Sequence, residues 1–268
     1  MAGWQAELAA ELAGVEAAGR RRKIRSLGGA TGPEVILKGR RLILAASNDY
    51  LSLASDERLR RAAGRAAQEW GAGAGASRLV CGTLALHNQL EEAIARFKGS
   101  EAALVFSSGY LANLGLLAAL AGPGDAIFSD ELNHASIVDG CRLSRAEVFV
   151  FRHRSVDHIA ELIGKADGFR RRLVVSDGLF SMDGDLAPLP EFSSLCRRHD
   201  AVLVVDDAHA TGVLGPSGKG SLDHFGLAGE DVVQIGTLSK ALGALGGFVA
   251  GPQALIDYLT NTSRPFIY

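Results

Sequence analysis

Two rhythms of apolar positions run along this chain. In residues 4–18, Leu8, Leu12 and Val15 recur at helical spacing, which predicts an amphipathic opening helix. From residue 100 onward the pattern shortens to nearly unbroken apolar runs at 102–106, 126–128, 147–151, 173–176, 201–205 and 231–235. Helix-like segments at 110–121, 135–145, 155–167 and 190–199 lie between most of them. Runs with so little polar alternation predict strands covered on both faces, hence a largely parallel sheet in an α/β layer domain. Ligands of such sheets gather at the carboxyl ends of the strands.

Composition narrows the function classes. The chain has 268 residues, 47% hydrophobic, with 28 Lys+Arg against 30 Asp+Glu for a net charge of −2. That balance offers no footprint for nucleic acid or an anionic membrane. The basic run Arg20, Arg21, Arg22, Lys23 and Arg25 reads as a cationic helix end or as a collar for an anionic substrate. No stretch reaches the roughly 18 apolar residues of a membrane span. The N-terminus lacks the order of a secretory signal, so a cytoplasmic location is expected. Cys81, Cys141 and Cys196 form neither a disulfide framework nor a metal knuckle, and are read as buried thiols of a reducing compartment.

Three motif-like stretches fail on context. Gly71, Gly73 and the residues after them follow a helix-like segment rather than a strand, which argues against a dinucleotide fingerprint. The stretch 215–220 has Val213 where a phosphate loop needs its first glycine, and Gly220 where it needs a hydroxyl. Asp206, Asp207 and His209 lack a second His-rich segment at ligand spacing, so no metal is expected.

Four predicted strand ends carry candidate chemistry. After 102–106, Ser107, Ser108 and Gly109 open a helix whose N–H groups suit a phosphate, with an ordinary N-cap the alternative. The run 201–205 delivers Asp206, with His209 three residues on. A carboxylate at the end of so apolar a strand is costly unless a cation meets it, and a protonated pyridine nitrogen is one such cation. After 231–235 come Thr237 and Lys240, among small and apolar residues that would depress the lysine pKa and favour imine chemistry. His134 follows the strand at 126–128.

Together, SNDYL (47–51), GASRLVCGTLALHNQLE (75–91), SSGYLAN (107–113), LNHASIVDG (132–140), SDGLFSMDGDLAPL (176–189), VVDDAHATG (204–212) and GTLSKALG (236–243) resemble the α-oxoamine synthases among the fold-type I pyridoxal-phosphate enzymes. The resemblance covers essentially the whole chain. It implies an N-terminal helix and arm over 1–45 and a large domain over 46–268 that binds pyridoxal 5′-phosphate on a mostly parallel sheet. It also implies that the family's small C-terminal domain is missing here, and that an isolated 1–268 chain is poorly soluble or of low activity. Lys240 would hold the cofactor, Asp206 its ring nitrogen and His209 its ring oxygen with Ser181 nearby. His134 would stack on the ring, and Gly109, Tyr110 and Thr237 would surround it and its phosphate. Arg20, or else Arg21 or Arg22, would contact substrate, as would Asn48 and His134. The implied reaction condenses an amino acid with an acyl thioester, most like the member joining L-alanine to a pimeloyl group on CoA or a carrier protein. A member joining glycine to acetyl-CoA is the alternative, as are an aminotransferase-like enzyme of the same fold and a non-catalytic partner subunit. A homodimer is expected.

Overall fold

The computed structural model describes residues 3–227 and 232–268, which divide into two compact units, 1–45 and 46–268. In the first, helix α1 (Gly3–Ala17) matches the helical spacing, yet Leu8, Leu12 and Val15 are all exposed. A hairpin of β1 (Glu34–Leu37) and β2 (Arg40–Ile43) follows. Its two-residue turn puts Lys38 at φ 51° and Gly39 at φ 75°, the left-handed pair that matches the twist of a tight hairpin.

The second unit begins with α2 (Glu57–Trp70) and α3 (Ala85–Lys98). Strand and helix then alternate: β3 (Ala102–Phe106), α4 (Gly109–Leu120), β4 (Ala126–Asp130), α5 (Ala135–Ser144), β5 (Glu147–Phe151), α6 (Val156–Ile163), β6 (Arg172–Asp177), α7 (Leu189–Arg198), β7 (Val202–Asp206), α8 (Ser221–His224), β8 (Val232–Thr237), β9 (Gly247–Gly251), α9 (Gln253–Thr262) and α10 (Arg264–Ile267). The sheet order is β3-β9-β8-β7-β6-β4-β5. All neighbours are parallel except β9, which runs antiparallel to both β3 and β8.

Val174, Val175, Val204 and Val205 are fully buried, each strand face meeting a different apolar layer. One layer joins Leu116 and Leu117 of α4 to Leu259 of α9, and the other joins Ile159 of α6 to Phe192 and Leu195 of α7. Fully burying one such aliphatic side chain contributes about 1.5–3 kcal/mol, so the central strands anchor the sheet. The apolar run 147–151 departs from expectation. It forms the edge strand β5, covered on one side only, with Val150 57% exposed. Among the described residues no helix is long and apolar enough to cross a membrane.

Candidate active site

Because β3, β4, β6, β7 and β8 all point the same way, their carboxyl ends converge on one rim. There Ser108, Gly109, Tyr110, Asn113, His134, Ser136, Asp177, Ser181, Asp206, Ala208, His209, Thr237, Ser239 and Lys240 enclose a cavity of about 260 Å³. All four predicted strand ends contribute to it, and β6 adds a fifth.

Asp206 ends β7 and is buried. Its carboxylate accepts from Asn113 Nδ2 at 2.6 Å and from the Ala208 backbone N–H at 2.9 Å. Burial pushes its pKa up, against the pull of those donors. Among the described residues no cation pairs with it. Asn113, inside the apolar run of α4, also donates to Ser136 Oγ at 2.9 Å, while its own Oδ1 is buried without a partner. Asp177 ends β6 and is likewise buried, accepting the His134 backbone N–H at 2.8 Å. Burial first, and the charge of Asp206 second, raise its pKa to about 8.

Lys240 sits three residues past β8, and burial lowers its pKa although Asp206 and Asp177 oppose that. Its Nζ lies 2.9 Å from His209 Nε2. Burial, with the charges of Lys240 and His134, pushes His209 down to about 4, so the imidazole is neutral and Nε2 accepts from the amine. Its Nδ1–H then donates to Tyr50 Oη at 2.7 Å, whose hydroxyl donates to Asn48 Oδ1 at 3.3 Å. A neutral imidazole has one donor and one acceptor, and this chain uses both.

His134 caps α5 through Nδ1, which accepts from the Ser136 backbone N–H at 3.2 Å. The Tyr110 ring meets it edge-on at 6.5 Å, and Tyr110 donates its hydroxyl to Asp139. Ser108 caps α4 by accepting from Leu111 N–H. Gly109 makes room: a Cβ there would lie 3.3 Å from Thr237 Cβ. Thr237 lines the cavity while its hydroxyl donates to Gly246 O at 2.9 Å and meets Ser239 Oγ at 2.8 Å. Ser181 reaches the same cavity from the loop after β6.

Two candidates are not among the cavity's lining residues. Asn48 connects to it through Tyr50, and Arg20 belongs to the first unit, its backbone N–H bonded to Val15 O. Three participants escaped the sequence reading: Asn113, Asp177 and Tyr50. Asp177 carried the same signal as Asp206, a carboxylate ending an apolar strand.

The neighbouring motifs have structural employment. Asp207 forms a buried ion pair with Lys98 at 3.0 Å and accepts from Ser221. In the 215–220 loop the Ser217 and Lys219 N–H groups donate to Asp223, so a carboxylate of the chain takes the place of an external phosphate. Cys141 and Cys196 are buried, and burial pushes their thiols up to about 11 and 12. Cys81, expected buried, is exposed because it lies in the irregular segment before α3.

Comparison with known proteins places the chain. The profile of the family "Aminotransferase class I and II" matches residues 40–268. The 8-amino-7-oxononanoate synthase of Symbiobacterium thermophilum is 51% identical over 97% of this chain and 67% of its own length. That of Anaeromyxobacter sp. is 55% identical over 96% and 65%. This chain therefore spans about two thirds of the length of these relatives. A serine palmitoyltransferase from S. paucimobilis, solved with bound PLP-myriocin aldimine, superposes with a TM-score of 0.90 at 34% identity, covering 98% of this chain and 68% of that one. The chain belongs to the class I and II aminotransferase family and, within it, to the α-oxoamine synthases.

Proposed function

We propose that this chain holds pyridoxal 5′-phosphate and serves an 8-amino-7-oxononanoate synthase, joining L-alanine to a pimeloyl thioester, on CoA or a carrier protein, with release of CO2. The observation that carries this reading is Asp206, a buried carboxylate with two N–H donors and, among the described residues, no paired cation, sharing one cavity with a lysine whose pKa is depressed. A buried charge of that kind costs several kcal/mol until a counter-charge arrives. The residues fit the cofactor: Asp206 suits a ring N–H cation, Lys240 an aldehyde carbon, and the first turn of α4 a phosphate. The buried, unpartnered Asn113 Oδ1 leaves a further acceptor at the cavity wall.

When bound, the cofactor supplies an electron sink for charge released at an amino acid's α-carbon. The chain's own groups do the rest. Asp206 keeps the ring nitrogen protonated by offering it a fixed anion. Lys240 Nζ, more easily deprotonated than a surface lysine, moves the proton at the substrate α-carbon. With its one N–H moved to Nε2 and Nδ1 accepting from the Tyr50 hydroxyl, His209 would donate to the ring oxygen, with Ser181 beside it. His134, on the cavity wall, would cover the ring face. Ser108, Gly109, Tyr110 and Thr237 would surround the cofactor and its phosphate. Asn48, linked to His209 through Tyr50, would contact substrate.

The working protein is a cytoplasmic homodimer on this reading. Supporting it are the free, buried Cys141 and Cys196 and the exposed apolar Leu51, Met182 and Leu245 beside the site's loops, which suit burial against a second copy. Thiol release tests the substrates. Release with L-alanine and pimeloyl-CoA, and not with glycine and acetyl-CoA, is expected. The reverse pattern would move the chain to a glycine acyltransferase, and no turnover with the cofactor bound would favour a non-catalytic subunit.

A further inference from the structure

His153, just past β5, stands between two carboxylates from different parts of the chain. Its Nδ1 is 3.0 Å from Asp130 Oδ1 at the end of β4, and its Nε2 is 3.0 Å from Asp185 Oδ2 in the loop after β6. A neutral imidazole carries one N–H and would turn a lone pair toward one of these anions, whereas an imidazolium donates to both. Asp130 has a fully buried side chain and also accepts the N–H groups of Leu132 and Arg154 at 2.9 Å. Asp185 also accepts from Arg154 at 2.8 Å, and the His153 backbone N–H donates to Glu131 at 2.8 Å. The Phe180 ring packs against the imidazole at 4.4 Å.

Both carboxylates belong to segments that reach the cavity. Asp130 begins the turn that delivers His134. Asp185 sits in the excursion that carries Ser181, which is closed by Phe180 N–H to Asp185 O and Gly184 N–H to Phe180 O, both 2.9 Å. We propose that His153, as an imidazolium, is a positioning residue that clasps the His134 turn to the Ser181 loop and so sets one wall of the site. What that wall does rests on the function proposed above; the clasp itself does not.

Burial alone would lower the His153 pKa, but the hydrogen bonds and charges of Asp130 and Asp185 outweigh it and raise the value above 6.5. The groups facing the ring are Asp130 and Glu131 from β4 and its turn, Asp185 from the loop, and Arg154 from its own segment. A raised folded-state value means the clasp is fully formed below pH 6.5 and is lost as pH rises through the folded value.

The test is site-resolved amide exchange and imidazole NMR on the full chain without added ligand. His153 is expected to titrate above 6.5. Corrected for intrinsic rates, protection at Gly184 and Ala187 should fall about tenfold per unit of pKa shift as pH passes through that titration, while amides of α4 hold. In H153N the step should vanish. In D185N the His153 titration should move back toward 6.5. The proposal is overturned by a His153 titration at or below 6.5, or by the same exchange step in H153N. If H153N fails to fold, the wild-type titration and D185N decide.

Discussion

Lys240 Nζ and His209 Nε2 stand 2.9 Å apart, amine against imidazole, with the carboxylate of Asp206 in the same cavity bonded instead to Asn113 and Ala208. The lysine therefore rests against a neutral acceptor and remains available as an amine. The carboxylate remains available as an anion for something else. That separation of two groups that would otherwise neutralise each other is what makes the rim a site.

Removing the charge of Asp206 should act in opposite directions on stability and binding. In D206N the buried anion is gone while an amide of the same shape keeps the Ala208 N–H bond, so the ligand-free chain should gain about 1–3 kcal/mol. Its affinity for pyridoxal phosphate should fall about tenfold or more, the equivalent of one pK unit of lost interaction. Urea unfolding without cofactor and a cofactor titration measure the two effects. A destabilised variant with unchanged affinity would contradict the assignment.

Asp177 sets a pH dependence of the ligand-free chain. Its folded pKa of about 8 exceeds the ordinary 3.8, so its contribution to stability is complete below 3.8 and is lost as pH rises through about 8. Unfolding free energy should decline across that window in the native sequence and decline less in D177N. Parallel curves for the two would show that Asp177 is not the group responsible.

The buried pair Lys98–Asp207 joins the end of α3 to the turn after β7, with Lys98 also donating to Lys219 O. Leaving Asp207 unpaired in K98M should cost about 3–5 kcal/mol. Replacing both partners, K98M with D207L, should recover much of that loss. Equal unfolding midpoints for single and double variants would argue that the ion pair carries no such weight.

Gly247 lets β9 press against α4. A Cβ there would fall 2.4 Å from Gly109 N and 2.5 Å from Gly109 Cα, backbone that cannot swing aside. G247A should cost about 1–3 kcal/mol by overpacking. It should also weaken inorganic phosphate at the α4 N-terminus, read as reduced competition with the cofactor. Retained phosphate affinity would place the anion site elsewhere.

Much of this architecture was legible because parallel strands must be apolar on both faces. The runs at 102–106, 173–176 and 201–205 mark β3, β6 and β7, and the carboxylate and lysine that follow such runs stand out against them. What escaped has physical reasons. β9 is Gly-Phe-Val-Ala-Gly, and its first glycine is demanded by close approach: a Cβ at Gly247 would meet the Gly109 backbone N at 2.4 Å. In sequence those glycines read as a break. Asn113 was hidden because helical periodicity cannot show that one polar residue of α4 turns toward a strand end. β5 looked like a central strand because edge position is a property of sheet order. The apolar positions of α1 predicted a helix correctly, yet within its own unit none is buried.

The central claim is that Lys240 and Asp206 hold one aldehyde cofactor between them. Its most direct measurement is to add pyridoxal phosphate to the purified chain, reduce with borohydride and locate the added mass by peptide mapping. The account predicts a single modified site at Lys240, blocked in K240A and weakened in D206N. Modification spread over surface lysines, or persisting undiminished in K240A, would contradict it.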